Sequence, residues 1–155
     1  MSKGTRRAVI GRLQGAARQA RTSLASRLLQ HGFYAGQDQI MLALADGDGQ
    51  TPGALATQLG VRPPTITKTI NRLQTQGFVE RRASEADSRQ ANVFLTETGR
   101  DAIKAIEKSI RRTEKQALKG VDKKEQKALA KLLARIEANL GDAPLPEPDD
   151  ADEED

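Results

Sequence analysis

The stretch from Thr51 to Gly77 leaves the chain the least freedom. Thr51-Pro52 is a helix start: the hydroxyl can accept from a first-turn amide, and Pro suits the first helical position, where its missing N–H would have had no partner. Leu55, Ala56 and Leu59 line the inner side of the short helix that follows, and Gly60 ends it. Val61-Arg62 then leads into Pro63-Pro64, which opens the next helix. There Ile66, Ile70 and Leu73 fall at i, i+4 and i+7, leaving Thr65, Thr67, Lys68, Asn71 and Arg72 on or near the opposite side. Gly77 stops it. Two short helices joined by a tight Gly-containing turn, the second with an apolar spine and a polar, basic outer face, make a helix-turn-helix pattern.

Two runs without helical spacing follow, Phe78 to Arg82 and Ala91 to Leu95, separated by the polar stretch Ala83 to Gln90. They predict a β-hairpin with that stretch at its tip, so the helix-turn-helix becomes a winged helix. Upstream, Ile10, Leu13, Ala17, Ala20, Leu24 and Leu28 step by three or four and predict a helix from Arg6 to Leu29, with Arg12, Arg18, Arg21 and Arg27 on its other face. His31-Gly32 stops it, a second helix is expected from about Ala35 to Ala45, and Asp46 to Gln50 reads as a polar turn. Downstream, Ile103, Ile106, Ile110 and Ala117 repeat at helical spacing until Gly120-Val121. Asp122 and Glu125 then form a capping-box pair ahead of Leu129, Leu132, Leu133, Ile136 and Leu140.

The expected fold class is therefore mainly α with a small β-hairpin wing (α+β), a winged helix-turn-helix domain over 33–99. An N-terminal dimerisation helix over 1–32 and C-terminal dimerisation helices over 100–140 flank it. These flanking helices cannot bury their apolar stripes on a domain of this size and still leave its outer face free, so a homodimer is expected. Residues 141–155 are Pro-rich and acidic with Leu145 their only large apolar side chain, and are expected to form a disordered acidic tail.

Composition narrows the function. The net charge is +4, but eight acids and no base follow Leu140, so residues 1–140 carry 25 bases against 13 acids, an excess of +12. Such an excess calls for a polyanion, nucleic acid first and an anionic membrane surface second, with a merely well-solvated surface as the plain alternative. With no Cys and only His31, thiolate metal sites, disulfides, His clusters and a serine-type triad lack their parts. No catalytic residue, metal or cofactor is expected. The longest apolar run, Ile40 to Ala45, is far short of the ~20 residues of a membrane span, and no signal-peptide core follows Met1, so a soluble, cytoplasmic protein with no membrane partner is expected.

The segment Asp87-Ser88-Arg89, followed after five residues by Leu95-Thr96 and then by Gly99, matches the pattern D-x-R-x5-L-T-x-x-G. Together with Leu73 to Arg81, it resembles the helix exit and wing of the MarR (multiple antibiotic resistance regulator) family of bacterial winged-helix transcription factors, over about Phe33 to Leu140. The family often has a further basic residue where this chain has Ser88. The resemblance implies a homodimer built by the first and last two helices, bound to double-stranded DNA.

The resemblance also implies the roles of the wing residues, and the electrostatics of the groove agrees with them. Arg89, at the hairpin tip, is expected to probe the minor groove, where negative potential concentrates, with Asp87 holding its guanidinium by a bidentate contact. A surface ion pair is the alternative for those two. Pro64, Thr65, Thr67, Lys68 and Asn71 are expected at base edges or flanking phosphates in the major groove, and Arg62 and Arg72 at phosphates. Arg82, with Arg81, is expected to add phosphate contacts from the wing strand.

Family members commonly respond to small aromatic or phenolic acids held in a crevice between dimer helices and DNA-binding lobes. The resemblance makes Arg27, His31, Phe33 and Tyr34 candidates to line it, Arg27 pairing with the carboxylate; a helix-terminus role for His31 and ordinary packing for the two aromatics are the alternatives. The expected function is sequence-specific transcriptional regulation, as a ligand-responsive repressor on a pseudo-palindromic operator. An architectural, nucleoid-type DNA binder and a winged-helix protein-interaction module are the rivals.

Overall fold

The computed structural model describes residues 2–142. The chain divides into two compact units, residues 1–117 and 118–155.

The first unit begins with α1 (Lys3–Leu29), then α2 (Gln37–Asp46), α3 (Pro52–Leu59) and α4 (Pro63–Thr75), the strands β1 (Val79–Ala83) and β2 (Ala91–Leu95), and α5 (Glu97–Ala117). Helix α1 starts three residues earlier than periodicity predicts, because the Ser2 side chain accepts from the Thr5 amide at 3.3 Å and caps it. Helix α2 starts later than expected. Gly36 precedes it in the left-handed conformation, φ +85°, which holds Ala35 out of the helix. The Thr51 cap forms as read, its hydroxyl accepting from Ala54 N–H at 3.1 Å, and Gly60 takes the left-handed conformation that ends α3.

The core gathers side chains from every element of this unit. Ile40, Met41 and Leu44 of α2, Leu55 of α3, Ile66, Ile70 and Leu73 of α4, Val79, Val93 and Leu95 of the hairpin and Ile106 of α5 are buried together. Leu28 is the one buried residue of α1, which packs chiefly on α5. Phe33, in the turn after α1, is buried and stacks on Phe78 with ring centroids 4.7 Å apart.

Strands β1 and β2 pair antiparallel, with Val79 opposite Leu95 and Ala83 opposite Ala91. The first strand thus sits one residue later than expected. Gln50 adds a short bridge on the other side of β2: Gly49 N–H donates to Val93 O at 3.0 Å, and Val93 N–H to Gln50 O at 2.8 Å. The Asp48 carboxylate accepts from Leu95 N–H at 2.9 Å, so the α2–α3 turn and the base of the wing hold each other in place. Gly99 completes that joint, since a Cβ there would stand 2.1 Å from the Phe78 carbonyl oxygen.

In the second unit, α6 (Lys123–Asp142) begins with the expected reciprocal box. Glu125 N–H donates to Asp122 Oδ1 at 2.8 Å, and Asp122 N–H to Glu125 Oε1 at 3.1 Å. Leu129, Leu132 and Leu140 are exposed. The helix runs on through Gly141 and Asp142, two residues expected in the acidic tail; 143–155 lie outside the described residues.

Candidate nucleic-acid interface

Helix α4 is built so that one face is consumed by the fold and the other is free. Ile66, Ile70 and Leu73 are buried, whereas Arg62, Pro64, Thr65, Thr67, Lys68, Asn71 and Arg72 are exposed, as the spacing predicted. Arg62 is the N-cap residue in extended conformation, so its side chain leaves the helix where Pro63 and Pro64 present no N–H to be capped.

Two contacts fix this helix against the turn after α1. The buried Gln37 side chain accepts from Tyr34 N–H at 2.8 Å and donates to Gln76 Oε1 at 2.7 Å, and the Gln76 amide donates to Gly32 O at 2.8 Å. This relay ties the C-cap of α4 to the turn and to the start of α2. Alongside it the Arg72 guanidinium lies over the Tyr34 ring, 3.7 Å from its centroid. Sequence reading missed Gln37 and Gln76; their amide types offer no signal until the fold brings positions 39 residues apart together.

The wing tip is a turn organised from within. Ser84 N–H donates to Gln90 O at 2.9 Å, and Gln90 N–H to Asp87 O at 3.0 Å. The Asp87 carboxylate accepts from the Arg89 backbone N–H at 3.0 Å, not from its guanidinium. That corrects the orienting role expected for Asp87. An aspartate two residues before an amide closes an Asx turn at little entropic cost, whereas holding a long guanidinium in solvent costs side-chain freedom. Arg89 is exposed at the tip, and among the described residues it forms no ion pair.

Arg82 is not a free cation. It pairs with Glu80 and lies over the Phe94 ring, 4.5 Å from the centroid. Arg81 donates to Gln74 Oε1 at 3.3 Å, bracing the strand on the end of α4.

The candidates for an effector crevice are not brought together as a set. Arg27 is spoken for: its guanidinium donates to Ser23 Oγ and Thr113 Oγ1, both at 2.9 Å, and to Gln116 Oε1 at 2.8 Å, joining α1 to α5. Phe33 is a core residue, held by Phe78 and the surrounding aliphatics. His31 is exposed in the turn that ends α1. Tyr34 lines a recess of about 340 Å³, which it shares with Ala35, Gln37, Lys68, Thr69 and Arg72, and not with Arg27, His31 or Phe33. The recess therefore opens beside α4 itself.

In α2, burial pushes the Asp38 carboxyl above its usual range, partly opposed by the backbone N–H groups of Asp38 and Gln39.

The winged-helix segment also differs in charge from the whole. Residues 33–99 hold six bases and seven acids, so the basic excess lies elsewhere.

Residues 37–90, which span α2 to the wing tip, match the model of the MarR family. Solved structures agree over most of the chain. The transcriptional regulator SlyA is 21% identical, with 85% of this chain and 93% of that one covered at a TM-score of 0.75. A MarR transcriptional regulator from Methanosarcina mazei Go1 is 22% identical, with 86% and 96% covered at 0.74. A mutant MarR from E. coli, complexed with operator DNA, is 22% identical, with 88% and 99% covered at 0.76. The fold shared with these structures extends beyond the matched segment to the helices on either side.

Proposed function

We propose that this protein is a MarR-family transcriptional regulator that recognises an operator in double-stranded DNA as a homodimer and represses by occluding a promoter. The observation that carries the reading is the pairing, within the family-matched segment, of a free polar face on α4 with an exposed arginine on the wing tip. Thr65, Thr67, Lys68 and Asn71 are spaced to follow a major groove, and Arg89 to enter the neighbouring minor groove. Arg62 adds a phosphate contact at the start of the helix, and Pro64 packs at the groove edge. Arg72, stacked on the Tyr34 ring, reaches phosphate with its free guanidinium edge, and Arg82 does so by exchanging its Glu80 contact for phosphate. Asp87 shapes the turn that presents Arg89.

The exposed Val9 and Ile10 of α1, and Leu129, Leu132 and Leu140 of α6, supply apolar surface for the homodimer. A MarR operator complex among the similar structures supports the DNA reading. The family and fold are those of regulators, so binding and not catalysis is the mechanism. Among the described residues no helix is long and apolar enough to cross a membrane, and a cytoplasmic location fits DNA as the partner.

An effector, a small aromatic or phenolic acid, belongs in the recess beside α4: Lys68 and Arg72 meet its carboxylate and Tyr34 its ring. Its entry would displace Arg72 from Tyr34 and shift the helix away from its DNA-bound position. Tyr34 stays in the proposed site; Arg27, His31 and Phe33 leave it.

Fluorescence anisotropy with duplexes from the protein's own upstream region and with a scrambled duplex tests the reading. The upstream duplex should bind about 10³-fold or more tightly than the scrambled one at physiological salt, with Arg89→Ala losing much of that margin. Equal binding of both duplexes would favour the architectural rival, and binding of neither the protein-interaction module.

A further inference from the structure

Charge is distributed along this chain in a way its DNA-reading segment does not use. Residues 1–32 contain seven bases and no acid, and the first carboxylate in the sequence is Asp38. All seven lie on α1: Lys3, Arg6, Arg7, Arg12, Arg18, Arg21 and Arg27. Of these, Arg27 is engaged with α5, and the other six are exposed. Among the described residues none of them is within ion-pair distance of a carboxylate.

Helical geometry gathers four of the six. Lys3, Arg7, Arg18 and Arg21 recur at spacings of four, eleven and three, which return to the same side of a helix, and Gln14 falls between them. The stripe runs about 27 Å at ~1.5 Å per residue. Like charges three or four residues apart each weaken a helix by a few tenths of a kcal/mol. Helix stability therefore gives no reason for the stripe. Val9 and Leu13 lie about a third of a turn around the axis from the stripe and Ile10 about an eighth of a turn, at its border, so a second copy seated on Val9 and Leu13 could leave the basic stripe open.

The location separates this stripe from the winged helix. Up to Arg21, α1 forms no side-chain hydrogen bond with any other element among the described residues, and the helix meets the core through Leu24 and Leu28, beyond that stretch. Its packing partner is α5, not the recognition helix or the wing.

We infer that Lys3, Arg7, Arg18 and Arg21 form a second DNA-binding surface, one that grips the phosphate backbone of a duplex segment other than the one held under the winged helix. A row of exposed, unpaired cations on a rigid rod fits a regularly spaced polyanion, and it carries no groove-reading shape, so the contact is independent of base sequence. A protein with both surfaces bridges an operator to neighbouring DNA. The inference goes beyond the operator-binding reading, and its test keeps the two apart.

The experiment saturates the full-length protein with a short operator duplex and measures capture of a second, bead-bound duplex that lacks the operator, across a salt series. Wild type should capture the second duplex, and the Lys3→Gln, Arg7→Gln, Arg18→Gln, Arg21→Gln variant should lose about tenfold or more. Its salt slope should fall by about 3.6, at roughly 0.9 for each of the four phosphate contacts. Operator anisotropy of the same variant should stay unchanged, which also shows that it is folded. The Arg7→Lys, Arg18→Lys, Arg21→Lys variant should retain capture, because charge and not a bidentate fork is required. No capture by wild type, or equal capture by the Gln variant, overturns the inference. So does capture that appears only after removal of residues 143–155, because the acidic tail would then occupy the stripe. Loss of binding to anionic phospholipid vesicles with DNA capture intact would overturn it in favour of a membrane surface.

Discussion

Helices α1 and α4 face opposite demands and are made from different residues. Helix α4 buries three branched aliphatics within 13 residues and is fixed to the turn before α2 by the Gln37–Gln76 relay and the Arg72–Tyr34 stack. Helix α1 buries only Leu28 in 27 residues, and carries seven cations to α4's two. The helix that reads bases needs a fixed register, which packing provides; a helix that meets phosphate needs charge and little else. The comparison teaches that the basic excess of the chain and its recognition surface are separate properties.

Glycine substitutions at a packed joint, here the start of α5, and on the open rod of α1 should likewise have opposite consequences. The largest effect is expected at Gly99→Ala, where the new Cβ collides with the Phe78 backbone; unfolding in urea should show a loss of about 3 kcal/mol or more. In α1, Gly11→Ala meets nothing within 4 Å and should stabilise the helix, by up to about 1 kcal/mol on the same measurement. Equal losses at both sites would erase the distinction between a packed joint and an open rod.

Gln37→Leu sharpens the comparison on the α4 side. It leaves the Tyr34 N–H and the Gln76 amide without their partner in a buried site, a cost of about 1–3 kcal/mol. Operator binding should suffer more than binding to scrambled duplex, since register and not charge is lost; equal loss on both duplexes would mean that the relay merely holds the fold together.

The smallest effect concerns Asp38. Its carboxyl is raised in the folded protein by burial, so the folded state holds its proton more strongly than the unfolded chain does, and stability falls as pH rises from the unfolded value toward the raised one. Asp38→Asn should accordingly be the more stable protein at pH 7, with an advantage that shrinks as pH falls toward 3.8. An unfolding series across pH that shows no such convergence would remove desolvation as the dominant cause.

What the sequence made legible follows from the range of the interactions. The α4 spine, the Thr51 cap, the Gly60 stop and the Asp122–Glu125 box are local, and each was readable within a few residues. The winged-helix topology was readable too, since helix, turn, helix and hairpin follow directly along the chain. The failures involve distance or competition. Arg27 looked available for a carboxylate because its partners, Thr113 and Gln116, lie more than 80 residues on. Phe33 looked like a crevice residue because Phe78, which buries it, is in the hairpin approach. For Asp87, both the amide and the guanidinium of Arg89 are within reach, and only the turn geometry selects the amide. The recess formed by Tyr34, Lys68 and Arg72 needs the turn after α1 to fold against α4.

A hydroxyl-radical footprint on the tightest-binding upstream duplex, for wild type and Arg89→Ala, tests the central claim most directly. The account predicts two related half-sites with centres separated by about one turn of duplex, flanked by minor-groove protections that Arg89→Ala removes while the central major-groove contacts persist. Protection without register, or a footprint indifferent to Arg89, would contradict it.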